Sequence, residues 1–233
     1  SAADDAAGFA IAERMTAQVR GLNMATKNAN DGLSMLATIE NATNDVTDML
    51  HRMRELAVQA ANDTNSATDR GYLQTEVTAL IAEIDRVASD TKYNGTAVLD
   101  GTFTSKKLQV GTEAAQSITF SVSDVDATAL AVNAADISTQ AGAATALTSI
   151  SAAIETVAVQ RATYGALQNR LEYTVSNLMN VSEFTQAARS RIEDADFAAE
   201  SARLSKAQVL QQTGTEMLAQ ANASQQLALS LFR

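Results

Sequence analysis

Side chains able to do covalent or metal chemistry are scarce in this 233-residue chain. His51 is its one histidine, and it stands between Leu50 and Arg52 with no neighbouring residue types to complete a metal site or a catalytic relay. A solvent-facing histidine is the better reading. Cysteine is absent, which excludes disulfides, thiolate nucleophiles and sulfur-ligated metals. Two carboxylate pairs, Asp124-Val125-Asp126 and Asp194-Ala195-Asp196, match fragments of calcium loops, but neither continues into the glycine and distal glutamate that close one. The second pair is expected instead to cap a break between helices, with Arg189 and Arg191 near enough to pair with it. With no glycine-rich phosphate cradle and no nucleophile elbow, no catalytic group, cofactor or metal is expected.

One cluster suits recognition better than catalysis. Arg52, Arg54 and Glu55 stand beside Leu56 and Gln59, with Glu76 about twenty residues on. Residues three and four apart are neighbours on a helix, so spacing places Arg52, Leu56 and Gln59 on one face. An ordinary solvated, salt-bridged face explains that spacing equally well.

The elements that position these residues are read from apolar periodicity. From Thr16 to Ala61, Leu22, Ala25, Ala29, Leu33, Leu36, Ile39, Ala42, Val46, Leu50, Met53, Leu56 and Ala60 fall on steps of three or four, which predicts a helix of roughly 69 Å. Gly32 is its weak point, costing about 1 kcal/mol relative to Ala. After the turn residues Asn62 to Ser66, with Ser66 or Thr68 as N-cap, Leu73, Val77, Leu80, Ile84 and Val87 predict a second helix antiparallel to the first. Tyr93-Asn94-Gly95 ends it. The period then drops to two at Leu108, Val110, Ile118, Phe120 and Val122, which predicts a small hairpin, and residues 123–145 read as a loop with some strand at Leu130 to Val132. A second long seam runs from Leu147 to Ile192, with Arg161 falling in its apolar stripe as a snorkelling residue.

Such seams hide their apolar faces by folding together, so the expected fold is mainly α, an elongated antiparallel helical bundle, a rod, with a small β-hairpin region at 92–145. A last helix, Phe197 to Leu231, carries Leu204, Leu210, Met217, Leu218 and Leu227 without an evident partner segment, so these residues are expected to serve assembly. The net charge of −10 argues against nucleic acid and anionic membrane surfaces as partners. No uninterrupted apolar run of about 18 residues and no leader-like start occurs, so neither a membrane span nor a cleaved signal peptide is expected, and any export takes another route.

Several strings carry a resemblance. Ser1-Ala2-Ala3-Asp4-Asp5-Ala6-Ala7-Gly8-Phe9-Ala10, Asn28-Ala29-Asn30-Asp31-Gly32, Arg52-Met53-Arg54-Glu55-Leu56-Ala57-Val58-Gln59 and Glu83-Ile84-Asp85-Arg86-Val87 are similar to the N-terminal region of bacterial flagellin. Ala188-Arg189-Ser190-Arg191-Ile192-Glu193-Asp194, Gln211-Gln212 and Leu218-Ala219-Gln220-Ala221-Asn222 are similar to its C-terminal region. The resemblance implies a non-enzymatic subunit of the extracellular flagellar filament, exported without a cleaved signal peptide and assembling with sister subunits and with hook-associated and cap proteins. It further implies an export chaperone at the C-terminal helix and recognition by a host Toll-like receptor through Arg52, Leu56, Gln59 and Glu76. His51 and Met53 stand where many recognised members have Gln and Val. The implied division is a remnant of the inner segment over residues 1–17, a helical core over 18–197, and an inner-domain tail over 198–233. Members carry a helix ahead of the motif that begins at Ser1, so the expectation is a shortened chain that does not form stable filaments. A hook-filament junction protein and a flagellin-like surface adhesin or receptor are the alternatives.

Overall fold

The structure, a computed structural model, describes the backbone of residues 6–194 and 197–230 and the side chains of residues 6–194 and 201–222. The chain divides into two compact units, one of residues 16–186 and one of residues 1–15 with 187–233. Helix α1 (Ala6–Ala60) begins ten residues ahead of the apolar seam. It is followed by α2 (Ala67–Asp90), the strands β1 (Lys92–Tyr93), β2 (Thr96–Ala97), β3 (Lys106–Gln109) and β4 (Ser117–Phe120), then α3 (Gln140–Glu193) and α4 (Phe197–Ser230).

In the unit of residues 16–186, α1 and α3 pack through two heptad seams. Leu22, Ala29, Leu36, Thr43, Leu50 and Ala57 recur every seven residues along α1 and are all buried, as are Ala25, Ile39, Val46, Met53 and Ala60 three positions on. Along α3 the buried residues are Ala143, Ile150, Val157, Tyr164, Leu171 and Leu178, again seven apart. Repeats of seven keep an apolar stripe facing one partner along the whole length of a helix. Cross-helix bonds fix the direction: Arg54 Nε donates to Ser151 Oγ at 3.3 Å, Arg161 Nη2 meets Glu40 Oε1 at 3.4 Å, and Ser182 Oγ donates to Asn23 Oδ1 at 3.1 Å. As the α1 partner number falls the α3 number rises, so the helices are antiparallel. Arg161 thus reaches a carboxylate on the facing helix from its place in the stripe. The one polar side chain in the α1 seam, Thr43, is satisfied by the carbonyls of Ile39 and Glu40 at 2.9 and 3.0 Å.

Ser66 is the N-cap of α2 and forms a reciprocal capping box with Asp69: the Asp69 N–H donates to Ser66 Oγ at 3.2 Å, and the Ser66 N–H donates to Asp69 Oδ2 at 3.0 Å. Beyond α2, Asn94 (φ 49°) and Gly95 (φ 77°) close a short β1–β2 hairpin, in register Tyr93 to Thr96, which the sequence reading did not anticipate. The anticipated hairpin is β3–β4, with Leu108 opposite Ile118. It lies on α1 at Gly32, where an added Cβ would come within 2.5 Å of Leu108 Cδ1, and at Gly21, where it would come within 2.7 Å of Thr112 Cγ2. Gly32 occupies a seam position, so the space its missing side chain leaves is filled by Leu108.

Residues 123–139 contain no strand, and the one suspected at Leu130 to Val132 is absent because Ala131 takes a left-handed conformation (φ 54°). The segment nevertheless buries Val125, Leu130, Val132 and Ile137. Helix side chains satisfy its backbone: the Ala127 N–H donates to Asp85 Oδ1 at 2.8 Å, and the Ile137 N–H donates to Gln74 Oε1 at 2.6 Å while Gln74 Nε2 donates to the Ala135 carbonyl at 3.2 Å. The Ser123 N–H donates to the Tyr164 hydroxyl at 3.2 Å, and burial of that phenol raises its pKa. By length and composition α3 is long and apolar enough to cross a membrane, although hydroxyl residues interrupt any continuous apolar run.

In the other unit, α4 carries Leu204, Leu210, Met217 and Leu218, all exposed, and residues 6–15 of α1 carry exposed Phe9 and Ile11. At the end of α3, Asp194 contacts the Ser190 hydroxyl and Arg189 pairs with Glu193 at 3.5 Å; Asp196 lies outside the described residues.

Gly32→Ala is expected to lower stability by about 1 kcal/mol or more in chemical denaturation, because overpacking against Leu108 exceeds the gain in helix propensity. Gly71→Ala, with nothing within 4 Å of the new methyl, is expected to raise it by about 0.4–1 kcal/mol. A loss for both, or a gain for both, contradicts the packing described. Hydrogen bonds from Ser66 hold the Asp69 carboxyl below its ordinary range, so its capping contribution is complete at neutral pH and fades as pH falls through the folded-state value. Protection of the Asp69 and Arg70 amides, measured against their intrinsic exchange rates, should therefore fall on acidification, and Asp69→Asn should remove that change.

Candidate functional site

The cluster expected to serve recognition forms where α1 and α2 run side by side. The turn between them is fixed by Arg70, whose Nε donates to the Ala60 carbonyl at 2.7 Å and whose Nη2 donates to the Asn62 carbonyl at 3.0 Å. That antiparallel register brings Glu76 of α2 to Arg52 of α1. Arg52 Nε donates to Glu76 Oε1 at 2.8 Å and Nη1 donates to Glu55 Oε2 at 3.1 Å. The bond to Glu76, then that to Glu55, raises the Arg52 pKa further, so the guanidinium stays charged at every relevant pH. All three side chains are close to half or more exposed, at 49%, 44% and 70% for Arg52, Glu76 and Glu55. An ion pair that wet adds little to stability, but it holds three charged groups in one orientation on the surface.

Gln59 is exposed one turn further on, and its backbone carbonyl accepts from Asn65 Nδ2 at 2.5 Å. Leu56, which spacing placed both in the α1 seam and on this strip, follows the seam. It is 1% exposed and belongs to the main hydrophobic core, so the face predicted for Arg52, Leu56 and Gln59 splits. Four residues advance a helix by about 40° beyond a full turn, and this offset carries Leu56 over the edge of the buried arc while Arg52 and Gln59 stay outside it. The accessible cluster is therefore Arg52, Glu55, Gln59 and Glu76, with Leu56 beneath.

Two neighbours were not picked out from sequence. Tyr72, 72% exposed, precedes Glu76 by one turn on α2, and its i,i+4 spacing from Glu76 was the available signal. Val58, also exposed, lines a shallow groove of about 410 Å³ with His51, Arg54 and Glu55. His51 is solvent-facing, as read. Among the described residues no group of three or more His, Cys, Asp or Glu side chains is placed to hold a metal.

Leu204, Leu210, Met217 and Leu218, expected from the sequence to serve assembly, are 60–71% exposed on α4. Their positions fall within less than half of the helix circumference at about 100° per residue. The Leu227 side chain lies outside the described residues.

Leu56→Ala is expected to cost about 2–5 kcal/mol in urea or thermal unfolding, as for other buried leucines. Arg52→Ala should leave the unfolding midpoint nearly unchanged; equal losses for both would contradict the burial contrast.

Known proteins supply an independent comparison. Residues 1–104 match the family model described as the bacterial flagellin N-terminal helical region, and residues 147–232 match that of the C-terminal helical region. A flagellin of Halalkalibacterium halodurans is 43% identical over 234 residues, covering all of this chain and 86% of that protein. The crystal structure of Bacillus cereus flagellin superposes with a TM-score of 0.59 at 33% identity, covering 65% of this chain and 88% of that one. A putative flagellar hook-associated protein of Vibrio parahaemolyticus superposes with a TM-score of 0.68 over 82% of this chain and all of that one, but at 15% identity it shares the fold alone.

Proposed function

The chain belongs to the bacterial flagellin family and is a flagellar filament subunit, and we propose that its surfaces divide between recognition on α1 and α2 and assembly on α4. Flagellin is a structural family, located in the extracellular filament, and the hook-filament junction alternative has only a shared fold in its favour.

Recognition is assigned to the strip Arg52, Gln59 and Glu76, with a host Toll-like receptor as the partner. The observation that supports it is the bridged cluster of Arg52, Glu55 and Glu76: charged groups already held in one orientation lose less conformational freedom on docking, and arginine is among the residues that dominate interface energy. Leu56 acts from below in this reading, setting the pitch of α1 under the strip. Assembly is assigned to Leu204, Leu210, Met217, Leu218 and Leu227, whose apolar face suits the helices of neighbouring subunits and, before export, a chaperone. Residues 1–17 and 198–233 then belong to the inner part of the filament and 18–197 to the helical core. Hook-associated and cap proteins meet the same helical ends, and export proceeds without a cleaved signal peptide.

Arg52→Ala and Glu76→Ala are each expected to reduce activation in a receptor reporter assay at least tenfold with unchanged far-ultraviolet circular dichroism. The double reversal Arg52→Glu with Glu76→Arg keeps the internal ion pair yet should remain weak, because the receptor meets the wrong charges. Full signalling from either single variant removes the assignment to this strip; recovery in the reversal assigns the pair a purely internal role.

A further inference from the structure

We propose that Asn94 is a site of spontaneous covalent modification, converting to isoaspartate and aspartate through attack of the Gly95 amide on the asparagine side chain. Hydroxide removes the Gly95 N–H proton, the nitrogen bonds to Asn94 Cγ, and the side-chain nitrogen leaves as ammonia. The product is a succinimide ring that spans the two residues. Water then opens the ring at either carbonyl. Breaking the bond from Cγ to nitrogen gives aspartate, and breaking the original peptide bond gives isoaspartate, in which the chain runs through Cβ. Each conversion consumes water and releases ammonia, and nothing is oxidised or reduced.

The conditions for this reaction meet at the β1–β2 turn. Asn94 and Gly95 are both exposed, so water and hydroxide reach them. Gly95 has no Cβ to obstruct the approach, and the space around it is open. The strands pair Tyr93 with Thr96 and Lys92 with Ala97, and among the described residues no hydrogen bond holds the Gly95 N–H or the Asn94 carboxamide. Ring closure also needs the backbone to rotate at Asn94, out of its left-handed conformation (φ 49°). A hairpin with strands of two residues each opens at small cost. The bonds that anchor it lie outside the turn: the Tyr93 hydroxyl donates to the Asp31 carbonyl and the Val98 N–H to the Thr91 carbonyl, both at 3.2 Å.

The other asparagines lack one condition or more. None of them precedes a glycine. Those inside α1 and α3 are followed by N–H groups already donated along the helix. In the turn before α2 the carboxamides are engaged: Asn62 Oδ1 accepts from the Thr64 N–H at 3.3 Å, and Asn65 Nδ2 donates to the Gln59 carbonyl at 2.5 Å. The Ser66 N–H that would attack Asn65 is itself bonded to Asp69. Conversion at Asn94 adds a carboxylate to the turn, and isoaspartate adds a backbone atom to a hairpin whose register depends on positive φ at both turn residues. The Tyr93 to Thr96 pairing is then lost, and with it the placement of Tyr93 on Asp31.

The test is incubation of the folded chain in mildly alkaline buffer, followed by tryptic mapping with mass spectrometry. Asn94 is the one asparagine between Lys92 and Lys106, so an amide-to-acid mass gain in the peptide 93–106 reports it alone. Asp100 also precedes a glycine there, but isomerisation of an aspartate leaves mass unchanged. The gain is expected to accumulate at least tenfold faster than in the peptide 55–70, which carries Asn62 and Asn65, and electron-transfer fragmentation should show isoaspartate at position 94. A smaller ratio overturns the proposal, as does a rate that does not rise with pH. Gly95→Asp, whose short side chain tolerates a left-handed turn, should keep helicity and slow the conversion at least tenfold; an unchanged rate overturns the part assigned to the glycine.

Discussion

Two long helices of opposite direction, each burying side chains at a seven-residue repeat along a shared seam, carry the rest of the structure. Leu22 to Ala57 on α1 and Ala143 to Leu178 on α3 supply that repeat, and what else is ordered in the unit of residues 16–186 is laid against it. The seam is narrow and rich in alanine. Aromatic residues make up only 4% of the chain, so stability comes from a long line of small, close contacts in place of a thick core. A narrow seam also leaves most of each helix surface outside it. That geometry suits a subunit whose task is to be packed, because the uncovered faces are where neighbours and partners can act.

The seam also explains features that look like defects when taken residue by residue. Glycine within a helix is unfavourable, yet Gly32 falls where a seam side chain belongs and Leu108 of the β3–β4 hairpin occupies its place. A local cost in α1 is offset by a long-range contact that anchors the hairpin. Residues 123–139 follow the same logic without regular structure, since Asp85, Gln74 and Tyr164 supply the hydrogen bonds that strand neighbours would otherwise give. Helix side chains are rigidly held, so they can dock an irregular segment as firmly as a sheet edge would.

Charge is used differently. Arg52, Glu55 and Glu76 lie in water, where their mutual attraction is screened and adds little to folding. What the pairing does is restrict three flexible side chains to one arrangement across two helices. Such an arrangement is of use to a binding partner and nearly irrelevant to the fold, which is why a surface of this kind can be altered without unfolding the chain while Leu56, one residue away, cannot.

The periodic part of the structure was legible in the sequence. Steps of three and four marked α1, α2 and α3, the turn residues Asn62 to Ser66 marked the start of α2, and alternation marked β3–β4, because each is a signal carried by residues close together in the chain. The resemblance of both ends to flagellin, and hence the filament role, was legible too. Other features were decided only by which surfaces met. Leu56 could be read from spacing both into the α1 seam and onto a face with Arg52, and the packing beside α1 decided for the seam. Leu130 to Val132 has strand-forming residues, but docking onto the helices turned Ala131 left-handed. Local periodicity fixes how a helix or strand presents its side chains; how far a neighbouring element wraps around it depends on contacts made across the fold, and no short stretch of sequence contains those.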